Sequence, residues 1–190
     1  VKYQFFDKKN WNGKFLTFNI YADDATQGLI KKCFTQAESL ADYCDFSLGI
    51  TPYDKYKGQT PEIIENRAFH AYTKLDDSYK PCITGSNISR YFIDETPKEY
   101  IKYGEWLGAK REEQFFTAPR IIVRQILSGK PPRIYAGFTD KPLYFTQIGF
   151  SILPKNTELD LKYILAIINS KLISFVHKYK FTDVEKAVFG

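Results

Sequence analysis

The sequence predicts a mixed α/β protein of the α+β kind, with twisted, largely antiparallel sheets, packed helices and a helical C-terminal segment. Short β-branched and aromatic runs bounded by glycine or proline recur through the middle of the chain, which is typical of strands. The chain closes on a stretch with apolar residues at helical spacing. Hydrophobic residues make up 44% and aromatic residues 17% of the 190 positions. That composition and length suit one domain with a large core.

The most informative run covers residues 118–127, where a proline opens an apolar β-branched segment that carries two arginines. A period of two gives each face of the strand its own set: Arg120, Ile122, Arg124 and Ile126 on one, Ile121, Val123 and Gln125 on the other. The two arginine Cα atoms are then about 13 Å apart. Guanidinium groups bind phosphates and guanine edges in pairs of hydrogen bonds. The alternative is that both arginines simply extend to solvent from a half-buried sheet.

The other elements follow in chain order. A strand is predicted over residues 14–21, a helix beginning at Asp23 and Asp24, and a strand at residues 44–48 that ends at Gly49. Residues 79–92 have the pattern of a strand, a Gly-Ser-Asn turn and a second strand. Residues 110–113 suit a solvated helical turn.

Beyond the arginine strand, residues 133–138 and 143–153 have the pattern of a hairpin whose turn is residues 139–142. A final helix is predicted from Asp160 to Tyr179, and Asn169-Ser170 could divide it into two shorter helices. Its apolar stripe fits a core face or a seam to another domain. Nothing in that stripe indicates a cofactor.

Charge and cysteine content restrict the partners only weakly. The net charge is +5, which suits a polyanion but also an uneven solvated surface. Cys33, Cys44 and Cys82 are widely spaced, and His70 and His177 are isolated, so no zinc-ligand set is present. We expect reduced thiols and a cytoplasmic protein. No apolar run approaches the roughly 20 residues of a membrane span, so no membrane partner is expected.

The loop at residues 53–59 alternates tyrosine with lysine, and we consider Tyr53, Lys55 and Lys57 as candidates for phosphate contact and base stacking. A plain solvated loop fits equally well. His70 lies in a mixed stretch without a second base or ligand nearby, which favours a structural role.

Motifs for catalysis are missing from the sequence: it has no glycine-rich phosphate loop, no HExxH and no GxSxG. Asp140 with Asp160 and Lys162 matches the letters of a nuclease motif, but Asp160 stands at a predicted helix start, so we interpret the match as chance. Three hypotheses remain: a DNA-recognition domain, a free-standing nuclease, and a module whose aromatic surface binds protein.

Five segments, in order, give a more specific indication. They are residues 40–51, 83–91, 100–104, 119–126 and 163–175. Together they resemble the TaqI-like C-terminal specificity domain, the target recognition domain of fused restriction–modification enzymes and related adenine-N6 DNA methyltransferases. The resemblance implies a domain that docks beside a methyltransferase domain and reads double-stranded DNA in the major groove.

The resemblance also implies a division of labour within a larger parent. Residues 1–34 would be the lead-in from a catalytic domain and residues 35–190 the recognition domain. The Asn-Pro-Pro-aromatic motif of the methyltransferase is missing, since Pro131-Pro132 has neither the asparagine nor the aromatic residue. We therefore expect no catalysis and no cofactor in this chain, with S-adenosylmethionine bound by the parent. The chain opens on Val1 and has no methionine, which we interpret as a piece of something longer.

Ten side chains are expected to contact DNA on these grounds: Tyr53, Lys55, Lys57, Ser86, Asn87, Arg90, Arg120, Arg124, Gln125 and Arg133. Which arginine would hold a phosphate and which would read a base stays open, as do the recognised DNA sequence and any DNA cleavage by the parent.

Overall fold

The structure, a computed structural model, describes residues 22–35, 37–156 and 158–180. The helices are α1 Asp24–Thr35, α2 Leu40–Tyr43, α3 Pro61–Glu65, α4 Gln114–Thr117, α5 Leu161–Ile168 and α6 Lys171–Lys180. The strands are β1 Cys44–Leu48, β2 His70–Ala71, β3 Tyr79–Ile83, β4 Glu99–Lys102, β5 Arg120–Arg124, β6 Ala136–Thr139, β7 Tyr144–Phe145 and β8 Gly149–Pro154. The 3₁₀ turns are Lys55–Lys57 and Gly85–Asn87. The strand predicted at residues 14–21 lies outside the described residues.

The strands form two four-stranded sheets. The first sheet has the order β1-β8-β5-β6, and all of its neighbouring strands are antiparallel. The second sheet has the order β2-β4-β3-β7, with only the short β3–β7 pair parallel. Together with the helices, this confirms the predicted mixed α/β class with largely antiparallel sheets.

The buried strand β5 separates two hydrophobic cores. Ile122 points into a cluster between the two sheets, with Ile83, Phe116 and Tyr144 among its members, which we call the inter-sheet core. Ile121 and Val123 point the other way, into a cluster shared with α5, which we call the helix-side core. Because successive strand residues face opposite sides, one apolar run serves both cores. The result is three layers: second sheet, first sheet and helices.

Local sequence signals set the helix boundaries. The Asp23 carboxylate accepts a hydrogen bond from the Thr26 backbone N–H (2.8 Å) and so caps α1. Asp160 caps α5 in the same way, accepting from the Lys162 backbone N–H at 2.8 Å. The C-terminal helical segment divides at Asn169-Ser170, as the sequence suggested.

The predicted hairpin between residues 133–138 and 143–153 is wrong. Strands β6 and β8 do not pair with each other, because β5 lies between them and pairs with both. The intervening chain leaves the first sheet, and Leu143, Tyr144 and Phe145 are buried in the inter-sheet core. Burial of these three side chains moves the connection to the second sheet, where β7 joins β3.

The predicted helical turn at residues 110–113 is also wrong. Ala109 and Thr51 exchange backbone hydrogen bonds of 2.9 and 3.0 Å, which keep the chain extended there. Arg111 then takes a left-handed conformation with φ of 66°. A helix cannot pass through either arrangement, so α4 begins only at Gln114.

All three cysteines are free thiols; Cys44 and Cys82 are buried and Cys33 is half-buried. Burial raises the pKa of the Cys82 thiol to about 12. Within the part of the chain that the structure describes, no helix has both the length and the apolar character needed to cross a bilayer.

Candidate nucleic-acid interface

The two arginines of β5 differ sharply in environment. Arg120 is completely buried. Its Nη1 donates to the carbonyls of Ala118 (2.8 Å) and Lys141 (3.1 Å), and its Nη2 donates to that of Leu143 (2.8 Å). Burial lowers the pKa of Arg120 to about 10, so the group stays charged at neutral pH. As packed here, Arg120 joins the β6–β7 connection to the start of β5 and has no surface to offer DNA.

Arg124 stands at the opposite end of the same strand and is half-buried. Its guanidinium group lies over Gly85: a Cβ at that position would be 3.4 Å from Arg124 Nε. Among the described residues, this guanidinium group has no hydrogen-bond or ion-pair partner. It therefore leaves the protein at the edge where β5 meets the Gly85–Asn87 turn, with its donors available.

The Gly85–Asn87 turn is held by the Asn87 side chain, which is only 1% exposed. Asn87 Oδ1 accepts from the backbone N–H and hydroxyl of Thr84, at 3.1 and 2.9 Å. Its Nδ2 donates to the carbonyls of Asp94 and Thr96, both at 2.9 Å. All four bonding positions of the amide are occupied. Asn87 shapes the turn, and the exposed Ser86 beside it faces solvent.

Arg90 is hydrogen-bonded to the end of a helix. Its Nη2 donates to the backbone carbonyl of Asn169, the C-cap residue of α5, at 2.6 Å. A cation at a helix C-terminus also interacts favourably with the helix dipole. Its buried Nε has no partner among the described residues. The side chain thus bonds the end of α5, and its guanidinium carbon also lies 5.3 Å from the centre of the half-exposed Tyr91 ring.

The tyrosine–lysine loop separates into an anchored part and an exposed part. Asp54 caps the Lys55–Lys57 turn by accepting from the Tyr56 backbone N–H at 2.9 Å. Lys55 and Lys57 are exposed, and the Tyr56 ring is 85% exposed with the Lys55 ammonium 4.9 Å from its centre. A charged, aromatic tip of this kind suits a phosphate backbone with an accessible base.

Tyr53 belongs to the anchored part of the loop. Its ring stacks on Phe69 with centroids 5.4 Å apart. Its hydroxyl accepts from the Phe69 backbone N–H (3.0 Å) and is hydrogen-bonded to His70 Nδ1 at 2.8 Å. The other ring nitrogen, His70 Nε2, lies 3.6 Å from the Glu99 carboxylate. Tyr53 and His70 thus belong to one network with Glu99, and the structural role of His70 stays a prediction.

The charge balance around His70 favours its neutral form. Burial lowers the pKa of His70; Arg67 lowers it further, and Glu99 opposes both effects. The Glu99 carboxylate also accepts from Arg67 Nη2 at 2.9 Å. Sequence inspection found His70 isolated because its partners lie 17 and 29 positions away in the chain.

Gln125 and Arg133 lie close to Arg124 along the chain and in the sheet. The Gln125 backbone N–H donates to the Ile148 carbonyl at 2.9 Å, and the side chain is half-exposed. Arg133 and Ser128 exchange backbone hydrogen bonds of 2.8 and 3.0 Å, which close a short hairpin beyond β5. These backbone contacts place both residues beyond the end of β5 at which Arg124 stands.

The two carboxylates of the possible nuclease motif, Asp140 and Asp160, have separate local partners. The Asp160 carboxylate caps α5 through the Lys162 backbone, as the sequence interpretation held. Asp140 is exposed and lies 3.7 Å from the neighbouring Lys141 ammonium. Across residues 22–35, 37–156 and 158–180, no group of three or more histidine, cysteine or acidic side chains is placed to hold a metal ion.

Strand β5 thus ends in an arginine whose side chain has no hydrogen-bond or ion-pair partner among the described residues, beside the polar Gly85–Asn87 turn. The family model of the TaqI-like C-terminal specificity domain matches residues 80–189, more than half of the chain. The chain therefore belongs to this family of specificity domains, whose role is DNA recognition in restriction–modification enzymes. No curated protein matches the chain.

The family match begins at residue 80, within β3, and not at residue 35 where we predicted the domain boundary. The chain before it is nevertheless part of the same structure. Strand β1 pairs along its whole length with β8, and β2 pairs with β4. The boundary at residue 35 stays a prediction.

Proposed function

We propose that this chain selects the DNA site for an adenine-N6 DNA methyltransferase, or for a fused methyltransferase and nuclease, by reading double-stranded DNA. The catalytic step would belong to a methyltransferase domain of the same parent chain, acting in the cytoplasm. The single observation that carries the proposal is Arg124: a guanidinium group without a partner among the described residues, held at the end of a buried strand in a chain of a specificity-domain family.

Arg124 suits base reading better than phosphate binding. Its backbone is fixed by the buried part of β5, and its guanidinium group lies beside the Gly85 backbone. A base-reading side chain needs a rigid backbone of this kind, because bidentate hydrogen bonds to guanine O6 and N7 depend on orientation. A phosphate contact tolerates a mobile side chain, and the exposed Lys55 and Lys57 meet that requirement.

The proposed interface is accordingly a subset of the residues that the sequence indicated. It comprises Lys55, Lys57, Ser86, Arg124, Gln125 and Arg133. The side chains of Tyr53, Asn87, Arg90 and Arg120 are engaged inside the protein, and we assign them to shaping and supporting this surface.

Arg124→Ala tests the proposal in equilibrium binding of the chain to duplexes selected from a random pool, measured across a salt series. A lost bidentate base contact should weaken the selected duplex by about 1–3 kcal/mol and relax the preference at one base pair. Binding to scrambled duplex should change little. The double change Lys55→Ala and Lys57→Ala should instead weaken all duplexes and reduce the salt slope by about one per lost phosphate contact.

Lys162→Ala is the matched control. This exposed lysine lines a cavity with Ala118 and Pro119, at the end of β5 opposite Arg124. Its loss should alter neither affinity nor salt slope. If Arg124→Ala binds every duplex as the unmodified chain does, the proposed reading surface is refuted.

We further propose that the chain alone binds no S-adenosylmethionine, since its sequence has no glycine-rich strand-to-helix turn for that cofactor. Calorimetric titration should give no saturable heat, and micromolar binding would contradict this assignment. Incubation of duplex DNA with the chain and Mg²⁺ tests the nuclease alternative. Metal-dependent cleavage that Asp140→Asn abolishes would favour that alternative.

A further inference from the structure

Residues 89–92 form a tight turn whose two aromatic side chains point into solvent. The Ser89 and Phe92 backbones exchange hydrogen bonds of 2.9 and 3.4 Å. Buried Ile88 and Ile93 form a β-bridge beneath them. Tyr91 is 51% and Phe92 is 63% exposed. We call residues 89–92 the aromatic turn.

Tyr91 occupies an unfavourable backbone conformation in this turn. Its φ of 68° lies in the left-handed region. That region costs a residue with a side chain about 1–2 kcal/mol, whereas glycine enters it freely. The half-exposed ring belongs to neither hydrophobic core and lies against the Arg90 guanidinium group, so core packing is not the reason for the strain. Backbone strain that is maintained without a packing reason is commonest at ligand-binding positions.

Several contacts hold the aromatic turn rigidly. The Tyr91 backbone N–H donates to the Ala136 carbonyl at 2.7 Å, and Arg90 reaches the end of α5. Gly137 allows the close approach: a Cβ there would be 2.5 Å from Ile93 Cγ1 and 2.8 Å from the Phe92 carbonyl. The backbone that carries the two aromatic side chains is thus in place before any partner arrives.

We propose that Tyr91 and Phe92 stack on a DNA base where the base stack is opened; this rests on the proposed function. Arg90 Nη2 is hydrogen-bonded to the Asn169 carbonyl, and its guanidinium carbon lies 5.3 Å from the centre of the Tyr91 ring. The most exposed part of the aromatic turn is therefore its two rings, which suit bases better than phosphates. Aromatic side chains stack on bases without regard to sequence, and apolar side chains inserted between base steps open the stack.

The position of the aromatic turn relative to Arg124 supports contact with one duplex. Tyr91 bridges Gly137, and Gly137 pairs with Ile122, two residues before Arg124. Two strand spacings and two residue rises place the Tyr91 and Arg124 Cα atoms about 12 Å apart. That distance corresponds to roughly three to four base-pair steps. The base contacted by the aromatic turn should therefore lie within about four base pairs of the one read by Arg124.

The test scans a single abasic site along the selected duplex and measures affinity for the whole chain. An abasic site accepts an aromatic ring without the cost of unstacking a base. When the abasic site is at one or two adjacent positions, the unmodified chain should therefore bind that duplex about five- to tenfold tighter than the intact duplex. Tyr91→Asn, which tolerates left-handed φ, and Phe92→Ala should each lose this gain. Tyr163→Ala, which removes an exposed tyrosine on α5, should retain it.

Urea unfolding completes the test, because Tyr91→Asn should be at least as stable as the unmodified chain if the strain serves binding. If affinity does not depend on the position of the abasic site while binding to the intact duplex still depends on Arg124, the role of the aromatic turn is overturned and the proposed function stands. A gain that persists in both turn variants would overturn it as well. A chain that binds no duplex at all would overturn the proposed function and this inference together.

Discussion

Arg120 and Arg124 lie four residues apart on β5, and changing each to methionine separates folding from recognition. In Arg120→Met the carbonyls of Ala118, Lys141 and Leu143 lose their donors. A hydrogen bond to a charged group contributes about 1.5–3 kcal/mol net of desolvation. Three such bonds, partly relieved by removal of a buried charge, give an expected loss of about 3–5 kcal/mol.

That loss is a large part of the 5–15 kcal/mol that stabilises a typical domain, so Arg120→Met is expected to unfold at much lower urea concentration. Arg120→Lys keeps the charge but offers one shorter donor group, so its urea midpoint should lie between those of the unmodified chain and Arg120→Met. Arg124 is half-buried with no partner among the described residues, and Arg124→Met should change unfolding by no more than about 0.5 kcal/mol. Tryptophan fluorescence in a urea series measures all three.

DNA affinity of the folded fraction gives the complementary result. Arg124→Met should weaken binding to the selected duplex, while Arg120→Lys should bind as the unmodified chain does wherever it is folded. An Arg120→Met variant with an unchanged urea midpoint and a reduced salt slope would refute the reasoning, since it would make Arg120 a surface phosphate contact.

Two further predictions concern the helix-side core and the histidine network. Leu165 is 5% exposed in α5, so Leu165→Ala should cost about 2–5 kcal/mol of unfolding free energy and leave the DNA affinity of the folded protein unchanged; folded protein that no longer binds DNA would contradict this. Burial lowers the pKa of His70 in the folded state, so the unfolded chain takes up the proton first as pH falls. Stability should therefore be full above about pH 6.5 and decrease as pH falls below it. His70→Gln should flatten this decrease in urea midpoints between roughly pH 7 and 5, a window above the range where aspartates titrate. The buried His177, whose pKa is also lowered, should leave part of the slope.

Sequence periodicity was sufficient to predict those strands and helices that depend on a single local segment. The β-branched run at residues 121–123 predicted a buried strand, and β5 is one. The alternation of Cys44, Phe46 and Leu48 before a glycine predicted β1. The division of the C-terminal helix at Asn169 followed from a polar residue within an apolar stripe.

Periodicity failed where contacts between distant segments determine which strands or helices pack together. Residues 133–138 and 143–153 have hairpin spacing, yet β5 inserts between them because its two faces serve two cores. Asn169 was predicted only as a break. In the structure its amide donates to the Ala136 carbonyl (2.9 Å) and accepts from the Ala136 N–H (3.2 Å), tying α5 to β6. Such pairing across 33 positions has no local signature in the sequence.

The candidate site shows the same limit in its two arginines. Period two correctly puts Arg120 and Arg124 on one face of the strand, but it cannot show that this face passes from the interior to the surface between them. The difference arises because the β6–β7 connection returns over Arg120 and supplies it with carbonyls. Over Arg124 the neighbouring chain is Gly85, which contributes no side chain and leaves the guanidinium group uncovered. The hydrogen bonds of Arg120 hold the start of β5 in place, and Arg124 projects from the other end of the same rigid strand. A change at Arg120 should accordingly reach recognition only through loss of the fold.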